Sequence, residues 1–305
     1  MTLAIDWPKI LFHITIIIPI ELNRDVLNTL RALLLLCFLG SMRHNVLHIG
    51  RIERTLIGLG RSIERIEKKL SLTENIVYVG SVKFYIPNFP SDYIQRVIAE
   101  GHFFEERILK ELDRYLDRGS VVLDVGANIG NHTLWWSKVT DAVGVKRVYA
   151  FEPIDLTFSA LRRNIEINGL SGDRVIINEI GLGKDEGTAV IDGKYDYHDV
   201  GRTSIRAETK GGAPFKIIPL DGYVKSVKFK DKKIDFIKID VEGFEEDVLL
   251  GAKETLKKYS PIIFIEIFPD KFDRVNRLLD SLGYRLEKKF DDINHLYTKE
   301  TQPKK

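Results

Sequence analysis

The sequence has one cysteine, Cys37, among 305 residues. No intrachain disulfide can form, and a zinc site built on several thiolates is excluded. Net charge is nearly absent as well, since 46 basic against 44 acidic residues leave +2. That balance supplies no global field for holding nucleic acid, so such a contact would need a local basic patch. Unbroken apolar runs are short. Residues 10–20 (ILFHITIIIPI) and 30–39 (LRALLLLCFL) fall below the roughly 18–20 residues of a spanning helix. Neither carries the basic flank and small-residue cleavage site of a secretory signal. Internal repeats and low-complexity segments are missing too. What the chain has in quantity is apolar side chains, 44% of the total. That suffices for a sizeable core and excludes general disorder.

Three regions succeed one another. Residues 1–42 are the most apolar, and two readings stand for them: peripheral attachment to a membrane, or an apolar hairpin packed on protein. If the segment inserted, Arg43, Arg51 and Arg54 would keep the rest of the chain on the cytoplasmic side, so a cytoplasmic location is expected, membrane-associated on the first of the two readings. In residues 43–70, Ile49, Ile52, Leu56, Leu59, Ile63, Ile66 and Leu70 recur at alternating spacings of three and four. Two readings stand: the seam of a short coiled coil that self-associates through residues 49–70, which is preferred, or a single amphipathic helix lying on its own domain; Gly58 and Gly60 weaken the helix by about 1 kcal/mol each. From residue 71 to the end, apolar strands alternate with amphipathic stretches. Strands are expected at 121–125, 147–151, 175–180, 236–239 and 261–267. Helices are expected at 133–137, 157–168 and 245–256, after a hairpin at 77–86 and a largely helical stretch at 94–116. Such alternation predicts an α/β domain with a mostly parallel sheet.

Residues 121–130, VVLDVGANIG, hold the strongest local signal. An apolar strand reaches Asp124, then Gly126 and Gly130 allow a sharp turn and a close approach of backbone to ligand. Ligands of open α/β sheets sit at this position. The next strand ends in Glu152, placed to accept hydrogen bonds from both hydroxyls of an adenosine ribose. These features do not by themselves separate a nicotinamide cofactor from S-adenosylmethionine. The turn does not follow G-x-G-x-x-G, because Asn128 stands where the second glycine would admit a pyrophosphate. Asn128 would instead bond the amino-acid portion of S-adenosylmethionine, and Asp124 would attract its ammonium.

Taken in order, DVGANIG, YAFEP, NEIGLG, IDFIKIDVEGFEEDVLLGA and PIIFIEI, preceded by HFFEERILKEL, resemble the FkbM family of methyltransferases over residues 76–290 or so. The resemblance implies a class I methyltransferase: a Rossmann-like, seven-stranded, mostly parallel sheet, here with an apolar and helical N-terminal extension. It implies S-adenosyl-L-methionine as methyl donor and a hydroxyl oxygen as acceptor. Carried over, Asp124, Gly126, Asn128 and Gly130 line the methionine end, Glu152 holds the ribose, and Gly181 and Leu182 border the adenine. Residues 1–70 lie outside it.

Methyl transfer needs an aligned acceptor, a dry site and a group to take the acceptor's proton. Asp240 ends an apolar strand and Glu242 comes two residues later, before Gly243 turns the chain, which makes both candidate catalytic carboxylates. The same pair would suit a divalent metal orienting a diol, but the base reading is preferred and no metal is assigned. Glu242 capping the following helix is the plainer alternative. His132, Glu266, and within the polar stretch 195–206 the pair His198 and Arg202, are candidate substrate contacts, with Tyr195 and Tyr197 beside them. The leading expectation is O-methylation of a glycan, polysaccharide precursor or lipid-linked sugar. An RNA methyltransferase drawing on the basic stretch 225–233, a nicotinamide-dependent oxidoreductase and a non-catalytic coiled-coil module stand behind it.

Overall fold

The computed structural model describes residues 75–139, 144–191, 205–206 and 214–299. The apolar N-terminal segment, the heptad helix, His198 and Arg202 therefore lie outside the described residues. The chain divides between Leu70 and Ser71, and all described residues belong to the second unit.

That unit opens with a hairpin, β1 (Ile76–Val79) and β2 (Val82–Tyr85), then α1 (Tyr93–Ala99) and α2 (Glu106–Leu112). A stretch read from sequence as largely helical is thus two helices and a closing 3-10 turn at Asp113–Tyr115. The break falls at Gly101, whose φ of +89 no helix can hold. The core continues as β3 (Val121–Val125), α3 (Asn131–Lys138), β4 (Arg147–Phe151), α4 (Asp155–Ile167) and β5 (Val175–Asn178). After an insertion come β10 (Phe236–Ile239), α6 (Glu245–Leu250), α7 (Lys253–Tyr259), β11 (Ile262–Glu266), α8 (Phe272–Ser281), β12 (Tyr284–Lys289) and β13 (Asn294–Lys299).

Seven of these strands form one sheet in the order β12-β13-β11-β10-β3-β4-β5. Only β13 runs against its neighbours, β11 and β12; the pairs from β11 through β5 are parallel. This is the class I methyltransferase arrangement. Both faces are covered, which explains why β3 and β10 are buried at every position and carry no polar alternation. One apolar layer packs α1 to α4 on the sheet around Trp136, Phe158 and Leu161. The other packs α6 to α8 around Val248, Leu256 and Leu279. The described N-terminal elements thus belong to the first layer and reach the carboxyl edge of the sheet from that side.

Two further expectations are corrected. The third core strand stops at Asn178, and Gly181–Leu182 form β6 of a separate four-stranded sheet. There β6 pairs with β9 (Pro214–Ile218), which pairs with β7 (Gly187–Ile191), and β7 with β8 (Ile205–Arg206). The stretch read as one helix over 245–256 is two, parted at Gly251. A Cβ on Gly251 would stand 1.9 Å from the Gly183 carbonyl oxygen, so the helix gives way to let the insertion close in. The insertion also contains α5 (Leu220–Val224).

Candidate functional site

Chain connections leave β3 toward β4 and β5 on one side, and run from β10 to β11 on the other. The reversal lies between β3 and β10, and in such sheets the ligand crevice opens beyond the carboxyl ends of those two strands. A cavity lies there. One part of its wall is apolar, formed by Phe151, Ile154, Ile180, Leu182, Phe215 and Ile217. The opposite part is carboxylate: Glu105, Asp240, Glu242 and Glu266. Glu152 lines it at the end of β4, and Gly126, Asn128 and Gly181 contribute backbone.

Among the residues singled out from sequence, Gly126, Asn128, Glu152, Gly181, Leu182, Asp240, Glu242 and Glu266 line this one cavity. Asp124, Gly130 and His132 do not. Asp124 is fully buried beneath it. Its Oδ2 accepts from the Thr133 hydroxyl at 2.5 Å, and its Oδ1 lies 3.5 Å from Lys238 Nζ. Oδ1 has no hydrogen-bond partner among the described residues, but the carboxylate is fully buried and off the cavity wall, where it supports the turn. The glycines are explained by protein neighbours before any ligand. A Cβ on Gly126 would fall 1.7 Å from the Asp240 carbonyl oxygen, and one on Gly130 2.8 Å from the Leu161 side chain. Both have positive φ. Gly181 has the same kind of reason, since a Cβ there would meet Ile217 at 2.9 Å. His132 is buried in α3 against Trp136, with Nε2 3.5 Å from Glu105 Oε2.

Asn128 and Glu152 form one unit. Asn128 holds a left-handed φ of +51 and accepts at its own Oδ1 from the Ile129 N–H. Its backbone N–H donates to Glu152 Oε2 at 2.9 Å, and the Ile154 N–H donates to Oε1 at 3.0 Å. Each carboxylate oxygen keeps a second lone pair for a ligand hydroxyl. Burial pushes Glu152 up to about 7, against the pull of those two N–H groups.

Lys238 was not foreseen. It sits in register with Asp124 on the neighbouring strand, almost completely buried. Its Nζ donates to the Gly126 carbonyl at 2.6 Å and lies 3.2 Å from Asp240 Oδ2. Burial by itself would lower this ammonium, but Asp240 and Asp124 outweigh it and hold it above the usual lysine range. One cation thereby ties the ends of β3 and β10 together. A lysine inside an otherwise apolar strand was the available signal, because lysine is almost never buried without partners. Glu105 was also missed as a site residue; no periodicity marks it, and only the chain's path brings it to the wall.

Glu242 is presented by strain. It has φ +52 and is followed by Gly243 at +101, whose carbonyl accepts from Lys271 Nζ at 2.8 Å. The helix-capping alternative fails at this residue: Glu245 Oε1 takes the Gly243 N–H at 2.7 Å. Burial, then the facing Asp240 and Glu266, push Glu242 up to about 9. Burial and the charges of Asp240 and Glu105 raise Glu266 in the same direction.

These shifts set a pH dependence of stability. The folded chain keeps protons on Glu242 and Glu266 that the unfolded chain releases near pH 4.5. The associated stabilisation is complete below that pH and is lost as pH rises toward about 9. Between pH 6 and 9, ligand-free protein is expected to lose on the order of 1–2 kcal/mol more than Glu242→Gln, a figure discounted for partial exposure. Urea denaturation of both proteins at the two pH values measures it, and equal losses would remove Glu242 as the cause.

Residues 124–286, more than half of the chain, match the model of the Methyltransferase FkbM domain. The chain belongs to the FkbM methyltransferase family. It is 26% identical over 186 residues to Methyltransferase 1 of Beauveria bassiana, covering 54% of this chain and 72% of that one. It is 28% identical over 160 residues to the hexuronic acid methyltransferase AglP of Haloferax volcanii, covering 52% and 61%. A crystal structure of a FkbM methyltransferase from Methylobacillus flagellatus overlaps 60% of this chain and 44% of its own, with 20% identity and a TM-score of 0.42. The protein is therefore a methyltransferase, and the oxidoreductase alternative is set aside.

The family implies S-adenosylmethionine as donor, and the cavity fits it. An adenosine would find apolar walls and the Glu152 carboxylate, while the sulfonium and ammonium would meet the carboxylate side. Among the described residues no group of three or more His, Cys, Asp or Glu is arranged to hold a metal.

Proposed function

We propose that this FkbM methyltransferase transfers a methyl group from S-adenosylmethionine to a hydroxyl oxygen of a glycan, polysaccharide precursor or lipid-linked sugar. The observation that carries this reading is the division of one cavity into an apolar half around Glu152 and a half walled by Glu105, Asp240, Glu242 and Glu266. The bound donor supplies an already activated methyl on a sulfonium. The chain's own residues then have three tasks: to hold the donor, to orient a neutral acceptor oxygen and to receive its proton.

Glu152 would hold the ribose, with Asn128, Gly181 and Leu182 around the donor. Asp240, Glu242 and Glu266 would border the acceptor. Carboxyl groups at this position suit a hydroxyl, and among the described residues no lysine or arginine lines the cavity to receive a phosphate. The name of the Haloferax relative agrees with a sugar acceptor. The basic stretch 225–233 is a poor alternative surface. It leads into the amino end of β10, away from the cavity, and Lys225, Lys230 and Lys233 are paired with Glu254, Asp173 and Asp235. We place the reaction in the cytoplasm, at the membrane surface if residues 1–42 attach there. Comparing the membrane and soluble fractions of chains with and without residues 1–70 tests that placement.

The direct test is transfer of labelled methyl from S-adenosylmethionine into fractionated host extract, with Glu152→Ala and Asp240→Asn as controls. Alkali-stable label in glycolipid or polysaccharide, lost in both variants, is expected. Label released as methanol by mild alkali would mean a carboxylate acceptor, and label in nuclease-sensitive material would mean a nucleic acid; either sinks the hydroxyl reading.

A further inference from the structure

The carboxylates of the acceptor side are not equivalent. Asp240 is engaged by the buried ammonium of Lys238 at 3.2 Å. Glu242 and Glu266 sit among like charges in a buried place, and both are pushed up, Glu242 to about 9. A group that carries its own proton near neutrality cannot take another. Glu105 differs in its place in the fold and in its neighbours. It comes from the N-terminal layer of the domain, lines the cavity, and holds a left-handed φ of +56. Non-glycine residues persist there only where the surroundings over-determine them.

Asn294 holds this carboxylate and His132 approaches it. Asn294 Nδ2 donates to Oε1 at 3.0 Å, and Asn294 is itself held by Asp291. On the other side His132 Nε2 lies 3.5 Å from Oε2. The imidazole is buried against Trp136 and Phe264, and its Nε2 has no hydrogen-bond partner among the described residues. The charged groups that face Glu105 from the strand ends are Lys238 and Asp240 from β10 and Glu266 from β11. From α3, His132 brings its Nε2 to 3.5 Å from Glu105 Oε2.

We propose that Glu105 takes the proton of the acceptor hydroxyl and that His132 is its positioning residue. The proposal rests on the hydroxyl-methylating reading above. As the hydroxyl oxygen bonds to the methyl carbon, the carbon–sulfur bond breaks and its electron pair stays on sulfur as a neutral thioether. The hydroxyl proton passes to Glu105, whose carboxylate the neighbouring imidazole steadies. His132 thus meets the acceptor only through Glu105, which accounts for its absence from the cavity wall.

The experiment uses the full chain and the labelled acceptor fraction from the extract test, with calorimetry against S-adenosylhomocysteine. Glu105→Gln is expected to lower kcat at least about a hundredfold while leaving S-adenosylhomocysteine affinity within about twofold. Glu105→Asp should recover part of the rate. His132→Asn should cost about tenfold in kcat at unchanged acceptor KM. A Glu105→Gln enzyme within about threefold of the parent rate would overturn the proposal. So would a Glu105→Gln protein that loses rate and S-adenosylhomocysteine binding together, because the residue would then be structural. Failure of the parent enzyme to label an alkali-stable acceptor defeats the underlying reading instead, before any variant is compared.

Discussion

Gly126→Ala is expected to leave the domain unfolded or barely folded. The added Cβ would stand 1.7 Å from the Asp240 carbonyl oxygen and 2.9 Å from its carbonyl carbon. These are backbone atoms at the end of β10, so relief requires separating the two strands at the centre of the sheet. The position also has φ +77, which adds a cost for any L side chain. Together these put the loss at about 4 kcal/mol or more, in the range reserved for the most damaging single changes. Total stabilities of domains are about 5–15 kcal/mol. Gly80→Ala is the matched control, since it has φ +58 but nothing within 4 Å of the added carbon. It should cost about 1–2 kcal/mol. Denaturant titration of both variants decides the matter. Equal losses would mean that backbone conformation, and not the contact of β3 with β10, is what the glycine serves.

Glu152→Ala is expected to raise the dissociation constant of S-adenosylhomocysteine at least about a hundredfold, which is about 2.7 kcal/mol. The two ribose hydroxyls would each lose a hydrogen bond to a charged acceptor, worth about 1.5–3 kcal/mol. The change also frees the N–H groups of Asn128 and Ile154, loosening the turn that borders the donor. Glu152→Gln keeps one carbonyl oxygen and should fall between the two. Calorimetry gives the constants, and the shift of the melting midpoint with added S-adenosylhomocysteine gives an independent reading. Binding like that of the unaltered protein would confine Glu152 to supporting the loop.

How far the site was legible depends on how local its causes are. The strand–turn–helix at 121–138 and the acid at the end of β4 leave their mark within a few neighbouring residues, so Gly126, Asn128 and Glu152 could be placed beforehand. Asp240 and Glu242 were legible from an apolar strand running into Gly243. What could not be read was which face of a turn each group would present. Asp124 looked like a ligand group because it ends a strand, yet its register opposite Lys238 buries it in an ion pair. The glycines looked like a ligand's approach path, yet protein atoms occupy the space their missing side chains leave.

By itself, the sequence determined the α/β alternation, the five central parallel strands and the glycine turn, because burial on both faces demands continuous apolar strands. The family motifs implied the donor. Tertiary structure alone decided that Gly181 and Leu182 belong to a second sheet, that Lys238 bridges the ends of β3 and β10, and that Glu105 and His132 meet. Those outcomes depend on residues distant along the chain being brought within a few ångströms; Lys238 and Gly126 are 112 positions apart. One-dimensional periodicity records which side of an element is buried, and it carries no information about what lies against that side.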